Sequence, residues 1–167
     1  MDPRIRRVRE ADITAVVGLV RDLAEYERLA HECEMTPGQL HAALFGPEPA
    51  LFGHVAEVDG EVVGFTLWFL SFSTFRGTHG IYLEDLFVRP AHRGNGLGRA
   101  LLTELAEECV RRGYARLEWS VLDWNAPSIG FYKSLGAVPR GGWTVFRLTD
   151  DALTTLGGEG RRPAGDG

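Results

Sequence analysis

The sequence predicts a mixed α/β fold, one sheet with helices on its faces. Three observations carry this. Strand patterns precede the later helical patterns one by one. A two-residue Asp59-Gly60 turn joins two apolar runs. A glycine-rich stretch, "HRGNGLGRALL" (92–102), links a strand pattern to a helical one, the position where α/β proteins commonly bind ligands.

The elements follow in order. "RIRRVR" (4–9) alternates apolar and basic residues and reads as a first strand. Asp12 is placed to cap a helix carrying Ile13, Val16, Val17, Val20, Leu23 and Ala24 at helical spacing. "MTPGQL" (35–40) is a helix start, with Thr36 as cap, Pro37 at the first helical position and Gln39 completing a capping box. Met35 and Leu40 are spaced as its hydrophobic staple. "LFGHVAEVDGEVVGFTLWFL" (51–70) is a hairpin about Asp59-Gly60, and "GIYLEDLFV" (80–88) is a strand closed by Pro90. A helix runs from about Gly98 to Arg112 on an apolar stripe of Leu101, Leu102, Leu105, Ala106, Cys109 and Val110, and Gly113 ends it. "ARLEWSVL" (115–122) is a strand. "NAPSIGFYKSLG" (125–136) is a short helix with Asn125 near its cap and Gly136 after its end. "WTVFRL" (143–148) reads as a last strand. The domain is expected over residues 4–150, with a disordered tail over 157–167, "GGEGRRPAGDG".

The 167 residues suit one domain with a real core, and 44% apolar with 25% charged residues is ordinary globular composition. A net charge of −5 argues against nucleic acid as a partner. No apolar run approaches the length of a membrane span, and the amino terminus has no signal-type apolar stretch. A cytoplasmic protein with no membrane partner is expected. Cys33 and Cys109 lack metal-ligand spacing and read as small buried apolar residues in helical patterns, so no metal is expected.

The stretch Arg93–Gly98 offers a run of backbone N–H groups at the positive end of a helix, a setting that binds phosphates. Glycine lets the backbone approach such a ligand closely. Arg93 and Arg99 add charge. A nucleotide P-loop would need Lys-Ser/Thr after the last glycine, and here Arg99 and Ala100 follow Gly98. A dinucleotide fingerprint would need different glycine spacing than 94, 96, 98. A tight turn with no ligand remains the plain alternative on the loop alone.

With "LEDLFV" before it and an amphipathic helix after it, "RGNGLG" resembles the acetyl-CoA pyrophosphate loop of the GNAT acetyltransferase superfamily, Arg93, Gly96 and Gly98 matching its pattern. "VLDWNAPSIGFYKSLGA" (121–137) resembles that family's second signature, an asparagine followed seven residues on by a tyrosine. "AEYE", "SFSTFRG", "YLEDLFV" and "VLDWN" are similar to the diamine (spermidine/spermine) branch and its thialysine acetyltransferase relatives. The resemblance covers about Ile5 to Leu148. It implies a mixed, mostly antiparallel GNAT-type sheet, acetyl-CoA as co-substrate, and a homodimer.

Site roles follow from the resemblance. Leu86, Phe87 and Val88 would pair with the pantetheine arm as if it were another strand. Arg93, Gly94, Asn95, Gly96, Leu97, Gly98 and Arg99 would carry the pyrophosphate. Asn125 and Ser128 would meet the cofactor from the next helix, though Asn125 is also a plain helix cap. Tyr132 would be the acid that protonates the departing thiolate. A free tyrosine near pKa 10 and a free thiol near 8.5 are nearly matched. The acceptor poses the opposite problem, since an ammonium near pKa 10.4 must lose a proton at a cost of roughly 4.6 kcal/mol at pH 7. Glu84 would assist, acting through water, because a free carboxylate is a weak direct base. A charged pair in an otherwise apolar strand is a costly choice if buried without purpose. Alternation points Glu84 and Asp85 to opposite faces unless a bulge intervenes.

Tyr26, Glu27, Asp85, Glu118, Trp119 and Ser120 are the expected amine-side residues. Thr74 stands where polyamine enzymes carry an aspartate and Gly142 where relatives carry a glutamate, and the loss of both favours a shorter acceptor. The expected function is N-acetylation of a primary amine, on a short amine or a lysine- or thialysine-like amino acid, by direct attack. Neither cysteine lies in a motif that activates a thiolate. A polyamine acetyltransferase and a non-catalytic acyl-CoA sensor stay open as alternatives.

Overall fold

The computed structural model describes residues 1–159, in two compact units that divide between Trp124 and Asn125. The first unit holds β1 (Ile5–Arg7), α1 (Ile13–Tyr26), α2 (Pro37–Phe45), β2 (Phe52–Val58), β3 (Glu61–Ser73), β4 (Thr78–Val88), α3 (Leu97–Arg112) and β5 (Leu117–Trp119). The strands lie in chain order across one sheet. β1 to β4 are antiparallel neighbours, and β5 runs parallel to β4 because α3 forms the crossover between them.

Local chemistry explains most boundaries. Asp59 (φ 51°) and Gly60 (φ 78°) both take left-handed backbone, the requirement of the tight β2–β3 turn. The Thr36 hydroxyl accepts from Gln39 N–H at 3.2 Å and the Gln39 side chain accepts from Thr36 N–H at 3.0 Å, closing the expected box on α2. α3 ends at Gly113 (φ 70°), with Tyr114 N–H donating to the Cys109 carbonyl.

The sheet separates two apolar layers. Ile13, Val16, Leu19, Leu40 and Leu44 of α1 and α2 pack with Val55, Phe65, Leu67 and Phe87 on one side. Leu97 and Leu101 of α3 pack with Ile5, Ala56, Val63 and Val88 on the other. A polar pin joins the strands under α3. Buried Trp68 donates its indole N–H to His54 Nδ1 at 3.2 Å, leaving His54 Nε2 3.9 Å from buried Glu104. Burial, aided by nearby Arg7, holds the His54 pKa down to about 4, so this ring is neutral at neutral pH.

Several expectations are corrected. Asp12 makes no side-chain cap on α1. Its carboxylate is instead held by Arg6 at 2.7 and 3.0 Å and by Arg9 N–H at 2.7 Å, and charged donors outcompete a neutral cap. On α3, Ala106 and Val110 face solvent, whereas Glu104 and Glu108 are buried. Glu108 can be inside because Arg7, Arg111 and Arg112 surround it. Cys109 is buried, but Cys33 is half-buried and follows a short 3₁₀ turn rather than sitting in an α-helix.

The second unit holds α4 (Ala126–Ser134) and α5 (Asp150–Glu159). "WTVFRL" is not a strand. The described residues of this unit contain no other strand to supply a ladder, and Trp143, Val145 and Phe146 are largely exposed. Residues 157–159, expected in a disordered tail, instead complete α5. The rest of that expectation, 160–167, lies outside the described residues.

Candidate active site

The site in the first unit begins with a fault in the sheet. Leu67 pairs with Asp85 and Trp68 pairs with Leu83, so Glu84 has no opposite residue on β3. This bulge breaks the alternation that would set Glu84 and Asp85 on opposite faces, and it bends the strand. Pairing of β4 with β5 spans Ile81–Leu83 and ends at the bulge. Among the described residues, the β4 edge on the β5 side therefore has no partner strand from Glu84 to Val88. An unpaired edge of this kind can accept an extended ligand as an added strand, and it holds Leu86, Phe87 and Val88.

The bulge also gathers carboxylates. Asp85 is half-buried by its exposed surface, yet the protein around its carboxyl pushes its pKa up to about 7, burial contributing most, then Glu84 and Glu27. Glu27, the residue that caps α1, is raised by burial and by Glu84. Among the described ion pairs none of these three carboxylates has a cationic side chain beside it. Each of these carboxyls raises the cost of charge on its neighbours, a cost that a bound cation would relieve.

The chain leaves β4 through a 3₁₀ turn at Pro90–His92 and enters the glycine loop. Gly94 (φ 83°) and Gly96 (φ 76°) are left-handed, backbone that other residues rarely adopt. α3 starts at Leu97, and its first intrahelical bond is Ala100 N–H to the Gly96 carbonyl at 2.9 Å. The N–H groups of Leu97, Gly98 and Arg99 are orphans by helix geometry, aligned with the positive end of the α3 dipole. Asn95 contributes its carbonyl elsewhere: it accepts from Arg4 at 3.0 Å, and Arg4 is paired to Asp2 at 2.7 Å. Arg4 carried no signal in the sequence, because only the fold brings the first strand to the loop. A cavity of about 250 Å³ opens beside the loop, lined by Asp2, Gly96, Arg99, Thr103 and Glu107 among others. Nothing in this donor set conflicts with a pyrophosphate.

The other expected residues are distributed as follows. Tyr26, the last residue of α1, has its ring 6.1 Å from Trp124 and 5.1 Å from the Arg93 guanidinium. On β5, Glu118 is paired to Arg116 at 2.7 Å and Trp119 is half-buried opposite Leu83, and just past the strand Ser120 shares a 2.8 Å hydrogen bond with Tyr82. Thr74 is exposed in the β3–β4 turn. In the second unit, Asn125 is buried and caps α4, its carboxamide oxygen accepting from Ser128 N–H at 3.3 Å. Tyr132 lies two turns further along, on the same helix face as Asn125, since seven residues nearly complete two turns. Gly136 (φ 89°) ends the helix, with Ala137 N–H returning to the Tyr132 carbonyl.

The description of the Acetyltransferase (GNAT) family matches residues 18–137, most of the chain and all of the loop, bulge and α4 just described. The chain belongs to the GNAT acetyltransferase family. This acetyltransferase is 37% identical over 166 residues to the thialysine N-epsilon-acetyltransferase of Bos taurus, covering 93% of this chain and 97% of that one. It is 29% identical to the L-ornithine N5-acetyltransferase of Arabidopsis thaliana, covering 93% and 88%. Among solved structures, an integron cassette protein from the mobile metagenome of V. cholerae superposes with a TM-score of 0.77 at 25% identity, covering 92% of this chain and 96% of that one. Among the described residues no group of side chains is arranged to hold a metal, and no helix is long and apolar enough to cross a membrane.

Proposed function

We propose that this acetyltransferase moves the acetyl group of acetyl-CoA to the primary amine of a short amine or a lysine- or thialysine-like amino acid. The observation that carries this reading is the β4 bulge. It opens the strand edge beside the anion loop and gathers Glu27, Glu84 and Asp85 at the same place. The names of the relatives support a compact amino-acid acceptor. The acidic balance and the absence of carboxylates at Thr74 and Gly142 fit a short cation better than a long polycation.

In this reading acetyl-CoA lies along Leu86–Val88, with its pyrophosphate on the N–H groups of residues 94–99 and with Asn125 and Ser128 contributing from α4. The acceptor ammonium is held by Glu27 and Asp85 and gives up a proton through Glu84 and water. The free amine attacks the thioester carbonyl, the C–N bond forms, the C–S bond breaks, and the new amide nitrogen sheds its second proton to water. Tyr132 protonates the departing thiolate and is later restored from solvent, so the net products are amide, CoA thiol and one proton. Asp85, raised to about 7, is better matched than an ordinary carboxyl to exchange a proton at neutral pH. Glu118, Trp119 and Ser120 border the acceptor. The exposed apolar run at Trp143, Val145 and Phe146 favours a homodimer that covers it, and we place the enzyme in the cytoplasm.

The test is thiol release from acetyl-CoA with thialysine, lysine, ornithine, putrescine, spermidine and spermine. Higher kcat/KM for the amino acids and short diamines is expected. Preference for spermine would move the assignment to a polyamine enzyme. CoA binding with no turnover on any acceptor would favour a sensor. Tyr132→Phe should cut kcat sharply with little change in CoA affinity, and an unchanged kcat would remove Tyr132 as the acid.

A further inference from the structure

Arg93 opens the glycine loop, yet its backbone N–H and its side-chain Nε are both spent on carbonyls of its own segment. Its backbone N–H donates to the Pro90 carbonyl at 3.2 Å, and its side-chain Nε donates to the Val88 carbonyl at 2.9 Å. Its guanidinium lies 5.3 Å from the buried Phe87 ring and 5.1 Å from the Tyr26 ring, both within cation–π range. Phe87 and Val88 belong to the strand edge beside the loop, and Tyr26 ends α1.

The turn that follows Tyr26 is unusual. Leu29 N–H bonds to the Ala24 carbonyl at 2.8 Å and Arg28 N–H to the Glu25 carbonyl at 3.0 Å. That is a helix stop whose left-handed position normally takes glycine, and here Arg28 occupies it at φ 60°. The strained residue sends its guanidinium 4.8 Å from the Trp124 ring, and Trp124 in turn meets Tyr26. Three successive residues thus make separate charge contacts: Tyr26 with Arg93, Glu27 with the carboxylates at the bulge, and Arg28 with Trp124, a ring that Tyr26 also meets. The backbone that fixes Glu27 is held from both sides by cation–ring contacts.

We infer that Arg93 is a positioning residue that ties the end of α1 to the anion loop, so that filling the loop with the acetyl donor fixes Glu27 at the acceptor site. The role rests on the reading above that the loop takes the pyrophosphate. It reassigns the Arg93 side chain from direct phosphate contact to linkage between the two substrate sites. Phosphate groups bound by the N–H groups of residues 94–99 immobilise the loop, Arg93 at its base is immobilised with it, and the Tyr26 ring follows. Coupling between two sites of one protein commonly amounts to about 5–150-fold in affinity, and it is reciprocal.

Hydrogen exchange with and without saturating CoA tests this. In the wild type, amides of residues 94–99 and of residues 24–29 should both gain protection. In Arg93→Met the loop should still be protected, while protection over 24–29 is lost. Arg93→Lys, which keeps a cation for the rings, should restore part of it, and Tyr26→Leu should reproduce the loss from the opposite side of the contact. With thialysine as acceptor, both Arg93→Met and Tyr26→Leu should raise the acceptor KM about tenfold while the acetyl-CoA KM changes less than about threefold. Protection over 24–29 that survives in both variants at saturating CoA overturns the inference. A large loss of CoA affinity in Arg93→Met, with protection of 24–29 intact once CoA saturates, would make Arg93 a direct phosphate ligand and also overturns it. If CoA protects the wild-type loop but not 24–29, this inference alone fails. If CoA protects neither, the loop assignment fails with it.

Discussion

Asp85→Asn should make the protein more stable at pH 8 than the wild type, and the gain should shrink on acidification. The folded state holds the Asp85 pKa near 7 against an ordinary 3.8. Between those values the folded chain keeps a proton that the unfolded chain has lost, so stability falls as pH rises through the window. The full rise corresponds to about 4 kcal/mol above pH 7, at about 1.4 kcal/mol per pH unit. Between pH 5 and pH 8 about 3 kcal/mol of it should be lost. The carboxyl is half-buried, and halving the figure for water access still leaves more than about 1 kcal/mol. The wild-type profile alone hides the effect, because His54 has the opposite sign. Its folded pKa of about 4 lies below the ordinary 6.5, so its contribution is lost as pH falls through that range. The informative quantity is the difference between variant and wild type. Urea unfolding at pH 5 and pH 8 measures it, with the slope on denaturant checked to be the same for both chains. The variant should gain roughly 1–3 kcal/mol relative to the wild type on going from pH 5 to pH 8. An equal difference at both values would mean that Asp85 is not held protonated by its surroundings, and the carboxylate cluster would lose its electrostatic basis.

Further outcomes follow from the same structure. His54→Gln keeps an acceptor for the Trp68 indole but does not titrate; its stability relative to the wild type should fall by up to about 3 kcal/mol as pH rises from 4 to 6.5, and a flat difference would refute the neutral, buried assignment. Thr36→Ala removes the α2 cap and should cost about 1 kcal/mol in urea unfolding at any pH. Gly96→Val meets no neighbouring atom but must hold φ 76°, so it should weaken CoA binding at least tenfold by calorimetry through backbone strain rather than collision; unchanged affinity would remove the loop from the cofactor site.

Much of this protein was legible in its sequence because the signals are local. The Asp59-Gly60 hairpin, the Thr36–Gln39 box, the glycine loop and the Asn125 cap each depend on residues within a few positions, and each formed as read. "WTVFRL" did not become a strand, because a strand is a property of a pair and residues 125–159 supply no second member. The buried face of α3 was misread for a related reason. Glu104 and Glu108 go inside only because His54, Arg7, Arg111 and Arg112 meet them there, and two of those partners come from distant strands. At the site, the sequence by itself determined which chemical groups are present: the carboxylates in "YLED", the bare backbone of "RGNGLG", and the tyrosine seven residues beyond Asn125. Tertiary structure decided what they face. The one-residue slip at Glu84 ends the pairing with β5 and sets Asp85 within reach of Glu27, and the end of α1 puts a tyrosine ring under Arg93. Those arrangements depend on sheet register and on contacts between residues some sixty positions apart, where no short-range pattern specifies the partner.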